Sequence, residues 1–185
     1  MISKRNISIV AVGAVVAAFL VVTQTAWTNQ HHGPKRLGGS FVGGLPGIQW
    51  FSIDTPLDPE GRTATIQITF PFWPQEMQDS LLAPFGADTL SVGVGEKAMV
   101  DRDTAKFTWV AYAVTDAHPP VIKAIFVANG TWDITGPDSA MSTETVNIYL
   151  PSADGNHDGL PDSNATPVAS VPFPAGLNVR VPILR

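Results

Sequence analysis

Residues 121–150, VIKAIFVANGTWDITGPDSAMSTETVNIYL, decide the fold. Apolar and β-branched runs are broken there by Asn129-Gly130 and by Gly136-Pro137-Asp138. Runs bounded by turn residues in this way read as consecutive antiparallel strands, here at 121–127, 130–135 and 143–150. Upstream, residues 106–115 (KFTWVAYAVT) place Phe107, Trp109, Ala111 and Ala113 on one side and Thr108, Val110, Tyr112 and Val114 on the other. Both sides are largely apolar, which predicts a central strand.

Further upstream the pattern repeats. In residues 62–70 (RTATIQITF), Ala64, Ile66, Ile68 and Phe70 alternate with Thr63, Thr65, Gln67 and Thr69, the signature of a sheet with one buried and one wet face. Strands are also expected at 39–42, 47–54, 89–94 and 97–101, with 47–70 forming a hairpin around the loop 55–61. Residues 74–82 (PQEMQDSLL) predict one short helix: Pro74 suits a first helical position, and Met77, Leu81 and Leu82 make a narrow apolar stripe. So short a helix needs a sheet to lean on and should plug an end or edge of it. Strands at 167–171 and 177–183 complete about ten, and their regular spacing predicts an all-β antiparallel barrel or sandwich over 37–185.

Composition agrees. The 16 glycines and 16 prolines are spread along the chain as turn punctuation, and 185 residues suit one domain. With no cysteine, disulfides, thiolate metal sites and a cysteine nucleophile are all excluded. Basic residues are concentrated at the start: Lys4, Arg5, Lys35 and Arg36 precede any acid. From Leu37 onward 7 basic residues face 16 acidic ones, a net charge of −9. Such a domain repels phosphate backbones, so nucleic acid is not an expected partner and cations are better ones.

The N-terminal residues read as an export segment. Lys4 and Arg5 precede an apolar core from Ile7 to Val22, between the lengths of a signal-peptide core and of a spanning helix. Residues 1–27 are thus a signal peptide cleaved after Ala26 or an uncleaved anchor. Gln24, where cleavage wants a small residue, favours the anchor. Residues 28–36 are a polar linker. The domain is expected outside the cytoplasm, secreted or held at the membrane by this segment.

One motif carries a stated mechanism. Asp154-Gly-Asn156-His-Asp158-Gly159-Leu160-Pro-Asp162 resembles the calcium loops of EF-hands, dockerins and thrombospondin type 3 repeats. Side-chain oxygens at positions 1, 3 and 5 converge on a hard cation, Gly at position 6 permits the sharp turn, and the carbonyl of position 7 adds a ligand. The resemblance implies calcium as a cofactor, held by Asp154, Asn156, Asp158 and Asp162 and by the Leu160 carbonyl. It covers nine residues. Ala165 stands at position 12, where a bidentate carboxylate normally completes the shell. The same residues also suit a plain surface turn.

Catalytic signatures are absent: there is no G-x-S-x-G elbow and no H-E-x-x-H. The carboxylate pairs Asp54/Asp58 and Asp101/Asp103 suit glycosidase-type acid/base work only at separations of roughly 5–9 Å, and Asp58, Asp101 and Asp103 also read as turn residues. Aromatics offer two readings, a core or a lined cavity. Trp109 and Trp132, in mid-strand, read as core; Phe72-Trp73, between two prolines, reads as an exposed apolar ligand contact. The Gly39-Ser-Phe41 opening and meander-like strand order are similar to those of lipocalin-like barrels, a likeness that carries no function over.

Two expectations follow. The first is a non-enzymatic extracytoplasmic binding or structural module, stabilised by calcium, whose partner is a protein or carbohydrate. The second is a barrel that binds or transforms a small apolar ligand. An enzyme needs a charged group inside such a pocket, and the strand alternation does not obviously provide one.

Overall fold

Alternation puts every second side chain of a strand on one face, and a twisted sheet with one apolar face can bury it by closing on itself. The computed structural model shows that outcome. It describes residues 37–45 and 47–181, without the side chain of Phe72. The export segment and linker expected over residues 1–36, and the end of the strand expected at 177–183, lie outside the described residues.

The strands are β1 (Gly39–Leu45), β2 (Ile48–Pro56), β3 (Thr63–Phe72), β4 (Thr89–Leu90), β5 (Gly93–Met99), β6 (Thr104–Val114), β7 (Ile122–Gly136), β8 (Ser139–Tyr149) and β9 (Ala169–Arg180). The helix α1 (Gln75–Leu81) follows β3. All pairings are antiparallel and mostly join strands consecutive in sequence. β9 returns to β1, from Phe41↔Arg180 to Gly44↔Leu177, and this closes an eight-stranded up-and-down barrel. The extra piece, β4, lies on the end of β6 through Thr89↔Val114 and Leu90↔Ala113.

The inward face of β3 is the predicted one, whereas β6, expected to be apolar on both sides, buries only one of them. Ala64, Ile66 and Ile68 of β3 are buried, as are Ala105, Phe107, Trp109, Ala111 and Ala113 of β6. Ala124, Phe126, Ala128 and Trp132 of β7 and Val146 and Ile148 of β8 complete this core. Alanines on β6 and β7 leave room for rings from other strands: Phe41 meets Trp132 edge-on at 5.2 Å, and Phe70 lies 5.7 Å from Trp109. A barrel of this strand number is just wide enough to be filled by side chains or to hold one small ligand.

Three details differ from the sequence reading. Asn129-Gly130 is not a turn, because β7 runs unbroken for 15 residues. A Cβ on Gly130 would collide with the Thr143 carbonyl oxygen and the tip of the Phe107 ring. Glycine is there for close approach of backbones, not for a turn. Residues 167–171 and 177–183 are not two strands; β9 is continuous from Ala169 to Arg180. Pro172 and Pro174 lie where β9 pairs with β8 alone, because its ladder with β1 spans only Leu177 to Arg180, and such an edge tolerates proline. Residues 89–94 and 97–101 resolve into β4 and β5, which ends at Met99. Beyond it Asp101 Oδ1 accepts the backbone N–H groups of Asp103 and Thr104, each at 2.8 Å, and forms the turn into β6.

The ladder between β3 and β5 runs from Thr63↔Ala98 to Ile68↔Gly93 and stops. Past it, the end of β3 and β4 face each other unpaired, and α1 lies across that gap. The helix buries none of its own residues and has no side-chain cap at Pro74. Its hold comes from Leu82, 3% exposed, and from the 3-10 turn at Ala83–Phe85, where Phe85 meets the buried Phe126 at 6.5 Å. Among the described residues no helix is long and apolar enough to cross a membrane.

Candidate functional site

The α1 end of the barrel encloses an apolar pocket. Its wall is made by Ile48 and Trp50 of β2, Phe70 and Trp73, Leu81 of α1, Leu90, Trp109, Phe126, and by Glu144, Val146 and Ile148 of β8 with Val171 and Phe173 of β9. Glu144 is the one ionisable group in this wall. It is there because of parity: Glu144, Val146 and Ile148 alternate along β8 and share its inward face. Gly130 of β7 pairs directly with Glu144, and the missing Cβ leaves the space that the glutamate stem fills.

The environment of Glu144 sets its chemistry. Oε2 accepts the indole N–H of Trp109 at 3.0 Å, and among the described residues no cation neighbours it. Burial disfavours the carboxylate and pushes the group up to about 7, with the Trp109 hydrogen bond pulling weakly the other way. Near neutral pH this side chain therefore exists in both forms. Two other tryptophans differ in their satisfaction. Trp50 donates to Asn178 Oδ1 at 2.7 Å, and Asn178 donates in turn to Ser142 Oγ at 2.9 Å. Trp73 Nε1 is buried and has no hydrogen-bond partner among the described residues.

As it stands, the inner pocket has room for about one water, a volume of about 20 Å³. Phe70, Trp73 and Leu90 form its outer wall, and on their far side is a groove of about 230 Å³ under α1, lined also by Gln78, Leu82 and Ser91. The two spaces therefore lie side by side and share these three side chains. Small-molecule pockets start at roughly 300 Å³, somewhat more than pocket and groove hold together, so only a compact ligand suits this end.

The opposite end of the barrel is charged and closed. Lys97 Nζ contacts Asp54 Oδ2 at 2.6 Å and lies 3.4 Å above the Trp132 ring, with both charged residues buried. Burial pushes the Asp54 carboxyl up and the Lys97 ammonium down, and their mutual attraction opposes both effects. A small cavity of about 50 Å³ beside this pair is bounded by Phe41, Trp132 and Arg180.

The sequence candidates fall as follows. Asp54 and Asp58 are not a catalytic pair: Asp54 is inside with Lys97, whereas Asp58 accepts the N–H groups of Arg62 and Thr63 in the loop between β2 and β3. The Thr63 hydroxyl, which also donates to Asp58, and then these backbone groups hold the exposed Asp58 carboxyl down at about 2. In the 154–162 loop, Asp154 accepts N–H groups from Asp158 and Gly159, each at 3.0 Å; Asp158 accepts that of Leu160 at 2.8 Å. Asn156 Oδ1 also accepts from Asp158 N, and Asp162 Oδ2 from Gly155 N. The Gly159 carbonyl takes the Tyr112 hydroxyl at 2.9 Å, which docks the loop on the outer face of β6. Among the described residues no three His, Asp or Glu side chains are grouped so as to hold a metal ion. Trp73 lies on the wall between pocket and groove, while the Phe72 side chain is outside the described set.

Glu144 and the Asp54–Lys97 pair were missed by sequence reading. The signal was present: Ile48, Trp50, Ser52 and Asp54 share one parity along β2, as Glu144, Val146 and Ile148 do along β8. An ionisable residue at an inward position was the thing to look for. Comparison with protein-family models, with curated proteins and with solved structures found no match to this chain.

Proposed function

We propose that this protein binds a small, mostly apolar molecule carrying a neutral oxygen function, held at the α1 end of the barrel. One observation carries the reading: a lone carboxyl group, Glu144, stands in a wall otherwise built of aromatic and aliphatic side chains, with no cation to neutralise it. Apolar pockets with a few convergent polar groups and a perturbed acid are the usual form of a ligand site. The weakly held α1 and the Trp73 wall supply a way in. In this reading the protein works outside the cytoplasm, delivered by the apolar segment of residues 7–22, and calcium at Asp154–Asp162 is a structural clamp on the last loop.

Native mass spectrometry of the protein purified from its own host tests this directly. The expected result is a co-purifying organic mass of a few hundred daltons at most, lost when Glu144 is replaced by a longer side chain of fixed charge, as in Glu144→Arg. A bare protein mass, together with no change in tryptophan fluorescence on titration with cyclic ketones or alcohols, refutes it.

A further inference from the structure

We propose that the Glu144 pocket is also a catalytic site, moving a proton between carbon atoms next to a carbonyl group of its apolar ligand. This rests on the ligand-binding reading. Two residues that line the pocket each carry a hydrogen-bonding atom with no partner among the described residues: the second carboxyl oxygen of Glu144, Oε1, and the indole N–H of Trp73. The other polar atoms near it are taken, Trp109 Nε1 by Glu144 and Trp50 Nε1 by Asn178. A base and a separate donor in an otherwise dry pocket match a carbonyl compound, whose oxygen accepts from the donor while an adjacent C–H faces the base.

The step balances without a co-reactant. For a β,γ-unsaturated ketone, ionised Glu144 Oε1 takes the proton from the carbon between the carbonyl and the double bond. The C–H electron pair becomes the new carbon–carbon π bond, and the carbonyl π pair moves onto oxygen, where the Trp73 N–H stabilises it. The neutral Glu144 then returns the same proton to the γ carbon, using the electron pair of the original double bond. The product is the conjugated isomer, and the carboxylate is regenerated. Trp109 is a positioning residue here: its hydrogen bond fixes Oε2 and so orients Oε1. The faces that β2, β3, β4, β6, β7, β8, β9 and α1 turn to the pocket carry no other titratable group. The nearest internal charges, Asp54 and Lys97, are paired with each other at the opposite end.

A β,γ-unsaturated cyclohexenone is a suitable probe, its conjugation followed by ultraviolet absorbance and its binding by tryptophan fluorescence. The wild-type protein should accelerate conjugation, with the rate rising with pH through about 7 as Glu144 ionises. Glu144→Gln should bind the probe yet lose ~10²–10⁴-fold in rate, and Trp73→Phe should lose at least ~10-fold in rate with the pH midpoint unchanged. Binding by the wild type with no faster conjugation than Glu144→Gln overturns the catalytic proposal and leaves the binding one standing. Absence of probe binding together with a bare native mass overturns both.

Discussion

Replacing Glu144 with glutamine is expected to stabilise the protein at pH 8 relative to its effect at pH 5. In the folded protein the Glu144 carboxyl holds its proton up to about 7, against an ordinary 4.5. Between those values the folded state keeps a proton that the unfolded chain has released, so stability falls as pH rises. The contribution is fully present below pH 4.5, where both states are protonated, and is fully lost above about pH 7, where neither is. At about 1.4 kcal/mol per pH unit the whole window amounts to about 3 kcal/mol, most of it between pH 5 and pH 8. Glutamine keeps the shape, accepts the Trp109 N–H with its amide oxygen and does not titrate. Asp54, Asp58 and Asp101 are shared by both proteins, so their pH dependence cancels in the difference. Urea unfolding followed by tryptophan fluorescence at pH 5, 6, 7 and 8 gives the two curves. They should diverge by about 2–3 kcal/mol, or about 5–10 °C in Tm. Parallel curves across this range would show that Glu144 is not held protonated by burial, and would refute the reasoning.

Three other perturbations probe the rest of the molecule. Lys97→Met leaves Asp54 buried without its partner and should cost about 3–5 kcal/mol in urea unfolding, whereas Asp54→Leu with Lys97→Met should recover most of that loss; an equally unstable double variant would place the effect in packing rather than charge. Gly130→Ala drives a Cβ into the Thr143 carbonyl and the Phe107 ring and should destabilise by about 1–3 kcal/mol, and retained stability would contradict the close approach of β7 and β8. Calcium in millimolar excess should raise the Tm of the wild type by a few degrees through a weak site at 154–162, and Asp158→Ala should abolish the rise; a rise that survives the substitution sinks this site.

What the sequence made legible follows from the period of its strands. Alternation in residues 62–70 assigns inward and outward faces without reference to any partner, and the assignment holds in the barrel, whereas 106–115 read as apolar on both sides and buries only the side of Phe107, Trp109, Ala111 and Ala113. Closure is another matter: the contact of Phe41 with Arg180 joins opposite ends of the domain, and nothing local separates a barrel from a sandwich. Gly130 misled for a different reason. A glycine needed for a turn and a glycine needed for close packing look the same in a sequence, and only the Phe107 ring and Thr143 carbonyl tell them apart. Asp54 was placed at the end of the strand expected over 47–54, where its parity with Ile48 and Trp50 already pointed it inward. Trp73 was singled out as an exposed contact, and the structure places it where pocket and groove meet.

The two polar features of the interior differ in one respect that bears on function. At the charged end, Asp54 and Lys97 neutralise each other and Trp132 covers the ammonium, an arrangement that closes the barrel and leaves no net charge of their own. Glu144 has no such compensation. At neutral pH and above it costs about 3 kcal/mol, a large share of the ~5–15 kcal/mol that holds a domain together. A leucine or methionine at that inward position would remove the cost. The neighbouring strand carries Gly130 opposite it, which itself weakens a strand, and Trp109 turns its N–H towards it. Three strands thus accommodate one acid that stability alone disfavours. Proteins keep such groups where binding or chemistry needs them, which is the use proposed here for Glu144.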